Sequence, residues 1–134
     1  MRFTGKPVVE GVAEGELLVS SEPIAFYGGV DPGTGTVTES GHKLRGQSIA
    51  GKILALPHTR GSTVGSYTLL RLAGRGLAPA GIVSERGDEI LIVGCIISRI
   101  PLAVGIPVSE LLKVGEGRRA LLRVTSSAAE LYVE

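Results

Sequence analysis

Residues 51–76 read GKILALPHTRGSTVGSYTLLRLAGRG, and this stretch contains a strand, a loop and a helix in succession. Lys52–Leu56 is a short apolar run between a glycine and a proline, which is typical of a strand buried on both faces. Pro57–Gly61 follows as a loop. In Ser62–Ala73 the apolar residues recur three positions apart, Ser62 is a good N-cap, and glycines follow the last turn. A strand that leads directly into a helix predicts an α/β fold.

The chain after this unit continues to alternate between strands and helices. Ala80–Val83 and Leu102–Gly105 are short apolar runs that predict two more inner strands. Between them, Asp88–Arg99 has the apolar spacing of a buried helix, although the same residues are also compatible with a strand; we favour the helix. Ser109–Val114 predicts a short helix. Two further strands, Arg118–Thr125 and Leu131–Val133, close the chain.

The N-terminal part of the chain has strands without helices between them. Val8–Val12 and Glu16–Ser20 predict two strands, with a hairpin turn at Ala13–Gly15. Strands first and alternating elements afterwards predict a β/β/α sandwich around an open parallel sheet. No linker, repeat or low-complexity segment divides the chain, so we expect one domain over residues 1–134.

Composition excludes several classes of protein. Hydrophobic residues make up 43% of the 134 residues and charged residues 20%, which is typical of a globular domain. The net charge is +1, and the only aromatic residues are two Phe and three Tyr. Neither feature favours binding to nucleic acid or to an anionic membrane. A single Cys, with no signal-peptide pattern and no apolar stretch of membrane-spanning length, predicts a cytoplasmic protein.

Two loops contain the candidate functional residues. Arg60–Ser66 lies between a buried strand and a helix N-terminus, where backbone N–H groups and the helix dipole favour an anion. Arg60 would add a bidentate donor, although Ser62 could equally serve only as a helix cap. Gly28–Gly35 contains four glycines and Asp31. It is either an Asp-Pro-Gly turn or a loop whose backbone approaches a ligand closely.

Three blocks of sequence together resemble one known family. They are YGGVDPGTG at residues 27–35, GKILALP at 51–57 and RGSTVGSY at 60–67. In this order and spacing they are similar to the small subunit of the aconitase X family. The resemblance covers nearly the whole chain and implies the swivelling β/β/α domain of aconitase-type enzymes, in agreement with the element order.

The resemblance also implies a chemistry and a partner. The activity would be that of a hydro-lyase acting on a small phosphorylated hydroxy acid in archaeal isoprenoid synthesis by the mevalonate pathway. A large subunit would hold a [4Fe–4S] cluster as Lewis acid, in a heterodimer or larger complex. Ser62 matches the position of the general base. Beside it, we expect the two candidate loops to supply the substrate-binding residues Gly28, Gly29, Val30, Asp31, Arg60, Gly61 and Thr63. We expect no metal ligands in this chain, because Cys95 is its only Cys.

Alternative functions remain open at this point. A related dehydratase could act on hydroxyproline instead. Swivelling β/β/α domains also occur as phosphohistidine carriers, in which case His58 would carry the phosphoryl group, although it precedes the Arg-Gly-Ser stretch rather than following it. A third possibility is an anion-binding or regulatory subunit without a catalytic residue.

Overall fold

A computed structural model describes the whole chain, residues 1–134, as seven strands and four helices. The strands are β1 (Arg2–Val9), β2 (Gly11–Val19), β3 (Ile53–Leu56), β4 (Gly81–Ser84), β5 (Leu102–Val104), β6 (Arg119–Val124) and β7 (Ala129–Val133). The helices are α1 (Phe26–Gly29), α2 (Val64–Gly74), α3 (Glu89–Ser98) and α4 (Val108–Leu112). The predicted strand–loop–helix unit is confirmed as β3 and α2.

The strands close into a barrel in the order β1-β5-β4-β3-β2-β6-β7. Strands β2 to β5 form a parallel set, and β1 pairs with β5 in the antiparallel direction. Strands β6 and β7 pair with each other and with β2 and β1 in an antiparallel second sheet. The expectation of an open sheet is therefore wrong, because β1 and β2 each belong to both sheets and leave no unpaired edge.

Two glycines mark the corners where β1 and β2 pass from one sheet to the other. Strand β1 pairs with β7 as far as Gly5 and with β5 beyond it, and β2 pairs with β6 through Gly15 and Glu16 before it joins β3. A Cβ atom at Gly15 would lie 2.3 Å from the Gly51 carbonyl oxygen. Ala13–Gly15 is thus part of β2 rather than a hairpin turn, and β1 and β2 do not pair with each other. Glycine stands there because backbone must approach backbone closely.

Two core clusters lie on opposite faces of the parallel strands. On β3, Leu54 and Leu56 contribute to the cluster beneath α2 and α3, whereas Ile53 and Ala55 contribute to the cluster between the two sheets. All four residues of β3 are buried. The alternation explains why the run is apolar throughout, and it confirms the three-layer β/β/α arrangement.

Helices α2 and α3 pack against each other and form the third layer. A Cβ atom at Gly94 would lie 3.0 Å from the side chain of Leu69, and the Ser66 hydroxyl donates a 2.7 Å hydrogen bond to the Ile90 carbonyl. Asp88 caps α3 by accepting a hydrogen bond from the Leu91 N–H at 3.0 Å. The helix expected within Asp88–Arg99 is confirmed. None of the helices is both long and apolar enough to cross a membrane.

Candidate active site

The segment between β3 and α2 is held in place by contacts to two other parts of the chain. The Thr59 N–H donates to the Asp88 carboxylate at 2.8 Å, and the Thr59 hydroxyl donates to the same carboxylate. The Arg60 N–H donates to the Ile24 carbonyl at 3.2 Å. Gly61 follows with a φ of +97°, a conformation that favours glycine. The loop before α2 is therefore an ordered part of the fold.

Ser62 is exposed immediately before the first turn of α2. Its Oγ accepts a hydrogen bond from the Val64 N–H at 3.1 Å, and its carbonyl accepts one from the Gly65 N–H at 2.9 Å. The helix begins at Val64, one residue later than the expected N-cap implied, and Thr63 at the N-cap position makes no side-chain capping bond. The Val64 N–H and the helix N-terminus both favour negative charge on the Ser62 oxygen.

Arg60 forms an ion pair that the sequence did not predict. Its Nη2 contacts the Glu39 carboxylate, and the other Glu39 oxygen accepts a hydrogen bond from the Ala25 N–H at 3.4 Å. The Arg60 side chain remains 54% exposed, whereas that of Glu39 is only 13% exposed. The Arg60 guanidinium is therefore accessible to an anion from solvent, while the ion pair with Glu39 restrains its orientation. Glu39 lies 21 positions away in a loop, and no local pattern marks it.

The Gly-rich loop is built around the Asp31 carboxylate. Asp31 accepts hydrogen bonds from the Gly33 N–H at 2.9 Å and the Thr34 hydroxyl at 3.1 Å, as in an Asx turn. Gly28 has a φ of +84° and open space where a Cβ would be. At Gly29 a Cβ would lie 2.8 Å from the Glu39 carboxylate. Gly28 thus offers open backbone to a ligand, whereas a side chain at Gly29 would have to displace the Glu39 carboxylate.

A cleft of about 630 Å³ separates the Gly-rich loop from α2. Its lining consists of Tyr27, Gly28, Val30, Asp31, Pro32, Thr38, Val64, Tyr67, Thr68 and Arg71. Three of the predicted substrate-binding residues are among them, whereas Gly29 and the segment Arg60–Thr63 are not. Val64 links the two parts, because it lines the cleft and its N–H binds the Ser62 hydroxyl. Tyr27, Tyr67 and Arg71 are lining residues that the sequence analysis did not single out as ligands.

The two histidines and the cysteine contact neighbouring parts of the fold. His42 is buried, and its Nδ1 accepts a hydrogen bond from the Leu44 N–H at 3.0 Å. His58 Nδ1 lies 2.7 Å from the Thr59 carbonyl oxygen. Cys95 is fully buried, and its burial, followed by the nearby Asp88 carboxylate, raises the pKa of its thiol well above the usual range.

A metal cluster does not fit this set of side chains. Cys thiolates are the usual ligands of iron–sulfur clusters, and burial in the core raises the pKa of the single thiol of this chain. No group of three or more His, Cys, Asp or Glu side chains is placed to hold a metal ion.

The geometry defines a class of protein and the comparisons then identify the family. The chain is a closed β/β/α barrel with an exposed serine before α2 and a cleft beside that helix. The family model described as the aconitase X swivel domain matches residues 2–133. The chain belongs to this family.

The chain is also similar in sequence to individual relatives and in structure to a solved protein. The chain is 52% identical, over all of its 134 residues and 97% of the relative, to the phosphomevalonate dehydratase small subunit of Thermococcus gammatolerans. It is 50% identical to the protein of that name from Methanosarcina mazei, over 76% of this chain and 71% of the relative. A crystal structure of Thermococcus kodakaraensis aconitase X in its holo form superposes with a TM-score of 0.91 and 42% identity, covering 100% of this chain and 98% of that one.

Proposed function

We propose that this chain is the small subunit of a hydro-lyase that converts (R)-5-phosphomevalonate to trans-anhydromevalonate 5-phosphate in archaeal isoprenoid synthesis. The observation that carries this proposal is the 52% identity, along the whole chain, to a phosphomevalonate dehydratase small subunit. The partner is a large subunit of the aconitase X type, and the complex works in the cytoplasm.

The reaction needs a base and a way to stabilise negative charge. A base removes a proton from the carbon next to the substrate carboxylate, and the electron pair of that C–H bond becomes the new double bond. The C–O bond at the neighbouring carbon breaks, and the hydroxyl leaves as water after it takes up a proton. The base must be strong, because a proton next to a carboxylate is only weakly acidic.

Ser62 is the proton acceptor in this proposal. An ionised serine is a strong base, and it persists only where hydrogen bonds and positive charge stabilise it. The Val64 N–H already donates to the Ser62 Oγ at 3.1 Å, and the first turn of α2 adds the positive end of a helix dipole. Arg60, two residues earlier, adds a positive charge that its ion pair with Glu39 partly offsets.

The remaining candidate residues bind the substrate. The exposed guanidinium of Arg60 takes a carboxylate or phosphate in bidentate fashion, oriented by Glu39. Gly61 and Thr63 shape the backbone around Ser62. On the other side, Gly28, Val30 and Asp31 supply the wall of the cleft, and Gly29 supports this wall from within the loop.

The [4Fe–4S] cluster belongs to the large subunit in this proposal. There it supplies the Lewis acid that assists departure of the substrate hydroxyl. This chain contributes the base and part of the binding cleft, so the active site is complete only at the junction of the two subunits.

Reconstitution with the large subunit tests the function and the substrate together. The complex is incubated anaerobically with 5-phosphomevalonate or with hydroxyproline, and product formation is followed by NMR. We expect the phosphorylated unsaturated acid from the first substrate and no reaction with the second. Dehydration of hydroxyproline alone would assign the other substrate of the family, and phosphorylation of His58 in the working enzyme would favour a carrier role.

A further inference from the structure

The outer surface of the helix layer is unusually apolar. Six large hydrophobic side chains, between 38% and 65% exposed, lie on the sides of α2 and α3 that are turned away from the sheet. We call this surface the helix face, and its members are Val64, Tyr67 and Leu70 on α2 and Val93, Ile96 and Ile97 on α3. An exposed helix surface is normally charged or polar, so a surface of this composition indicates an interface.

The charges around the helix face are mostly basic. Helix α2 contains no acidic residue, and the only one in α3 is Glu89 in its first turn. Arg71 lies on α2, and Arg75 and Arg99 follow the last turns of α2 and α3. None of the three arginines forms an ion pair within the chain. Aromatic residues and arginines with few carboxylates are the composition of protein–protein interfaces.

The helix face is continuous with the candidate active site. Val64, Tyr67 and Arg71 line the cleft beside the Gly-rich loop, and Val64 and Tyr67 are also members of the helix face. The Val64 N–H is bonded to the Ser62 hydroxyl. A partner that covers the helix face would therefore also close the cleft and reach the vicinity of Ser62.

We propose that the helix face is the surface that binds the large subunit. The partner surface is apolar at its centre and has carboxylates at its rim opposite Arg71 and Arg99. This assignment rests on the proposed function, because it takes the large subunit as the partner. Beyond that function, the assignment specifies which surface of this chain the partner covers and which charges the partner carries there.

Glutamate substitutions on the helix face test the assignment. Leu70→Glu and Ile96→Glu are compared with Leu112→Glu, which changes a similarly exposed leucine on α4. The neighbouring Leu111 of that helix belongs to the other core cluster. The thermal unfolding of each isolated variant checks that it folds. We expect the first two to weaken the Kd for the large subunit tenfold or more, and Leu112→Glu to stay within twofold of the unsubstituted chain. Higher salt should weaken the unsubstituted complex, because the arginines pair with carboxylates.

Several results would overturn the assignment without touching the proposed function. If Leu70→Glu and Ile96→Glu both bind the large subunit with the Kd of the unsubstituted chain, the helix face is not the interface. Loss of self-association of this chain in those variants, with large-subunit binding unchanged, would assign the face to a second copy. If the unsubstituted pair binds through this face but does not dehydrate 5-phosphomevalonate, the proposed function fails and the interface stands.

Discussion

At the scale of single residues, Ser62 has two possible roles that depend on the same hydrogen bond. The Val64 N–H that donates to its Oγ stabilises the start of α2 and would equally stabilise an ionised serine. The two roles differ in the magnitude and kind of effect that loss of the hydroxyl would have. A cap contributes about 1 kcal/mol to the free energy of unfolding, whereas a positioned base contributes about 10²–10⁴-fold to the rate.

We expect Ser62→Ala to reduce kcat of the reconstituted complex by about 10²–10⁴-fold. The substrate KM should change little, because the lost interaction belongs to the transition state. The free energy of unfolding of the isolated chain should fall by no more than about 1 kcal/mol, because the site is exposed. Steady-state kinetics and urea unfolding measure the two effects separately.

Ser66→Ala is the matched control for this substitution. The Ser66 hydroxyl is directed into the helix pair, where it donates to the Ile90 carbonyl at 2.7 Å. Its removal should cost about 1 kcal/mol of stability and leave the rate per folded complex close to that of the parent. If Ser62→Ala turns over at the parent rate, Ser62 is only a cap. If Ser66→Ala is the inactive variant, the base lies elsewhere in this motif.

At the scale of secondary-structure elements, the corner glycines determine how the two sheets meet. Gly5 and Gly15 lie where β1 and β2 change partners, and a side chain at either position would collide with a backbone carbonyl oxygen, of Val104 or Gly51. A backbone carbonyl oxygen within a sheet cannot move aside as the end of a flexible side chain can. Closure of the barrel therefore depends on the missing Cβ atoms, and it supports the strand that precedes the candidate site.

We predict that Gly15→Ala lowers the free energy of unfolding by about 1–3 kcal/mol, as is typical of overpacking in a core. Gly74→Ala at the end of α2 is the matched control, because a Cβ there meets nothing within 4 Å. Alanine has the higher helix propensity, so this substitution should be neutral or stabilise the chain by up to about 1 kcal/mol. Urea unfolding of both variants is the measurement. Equal stabilities would mean that the corner relaxes without cost.

At the scale of the whole molecule, the proposed function assigns this chain only part of an active site. It presents Ser62, an arginine with a preset orientation and an open cleft on one side. Its single thiol is buried and protonated, and no cluster of side chains is placed to hold a metal ion. The helix layer next to the cleft has an apolar surface. These features together are expected of a subunit whose active site is completed by a second protein.

The purified chain on its own should be colourless and without dehydratase activity. Its visible spectrum should lack the broad absorption of an iron–sulfur cluster, and iron and sulfide analysis should give far less than one cluster per chain. Addition of the large subunit should produce both colour and turnover. Stoichiometric iron and sulfide in the isolated chain would contradict the assignment of the cluster to the partner.

The sequence by itself determined those features that depend on neighbouring residues. The apolar run of β3, the spacing in Ser62–Ala73 and the turn chemistry of Asp31 are local patterns, and the structure contains the strand, the helix and the turn. The family followed from three blocks of sequence, and the family model confirms it. The assignment of Asp88–Arg99 to a helix succeeded for the same reason.

Only the tertiary structure decided the features that join residues far apart in the chain. The ion pair of Arg60 with Glu39 spans 21 positions, and the Asp88 carboxylate holds Thr59 from 29 positions away. The sequence predicted a turn at Gly15, because a glycine between two apolar runs usually marks one. In the structure a glycine is needed at this position because its backbone packs against the Gly51 carbonyl oxygen. Local pattern records the propensity of a segment, whereas barrel closure and the surroundings of Arg60 depend on which backbones and charges meet in space.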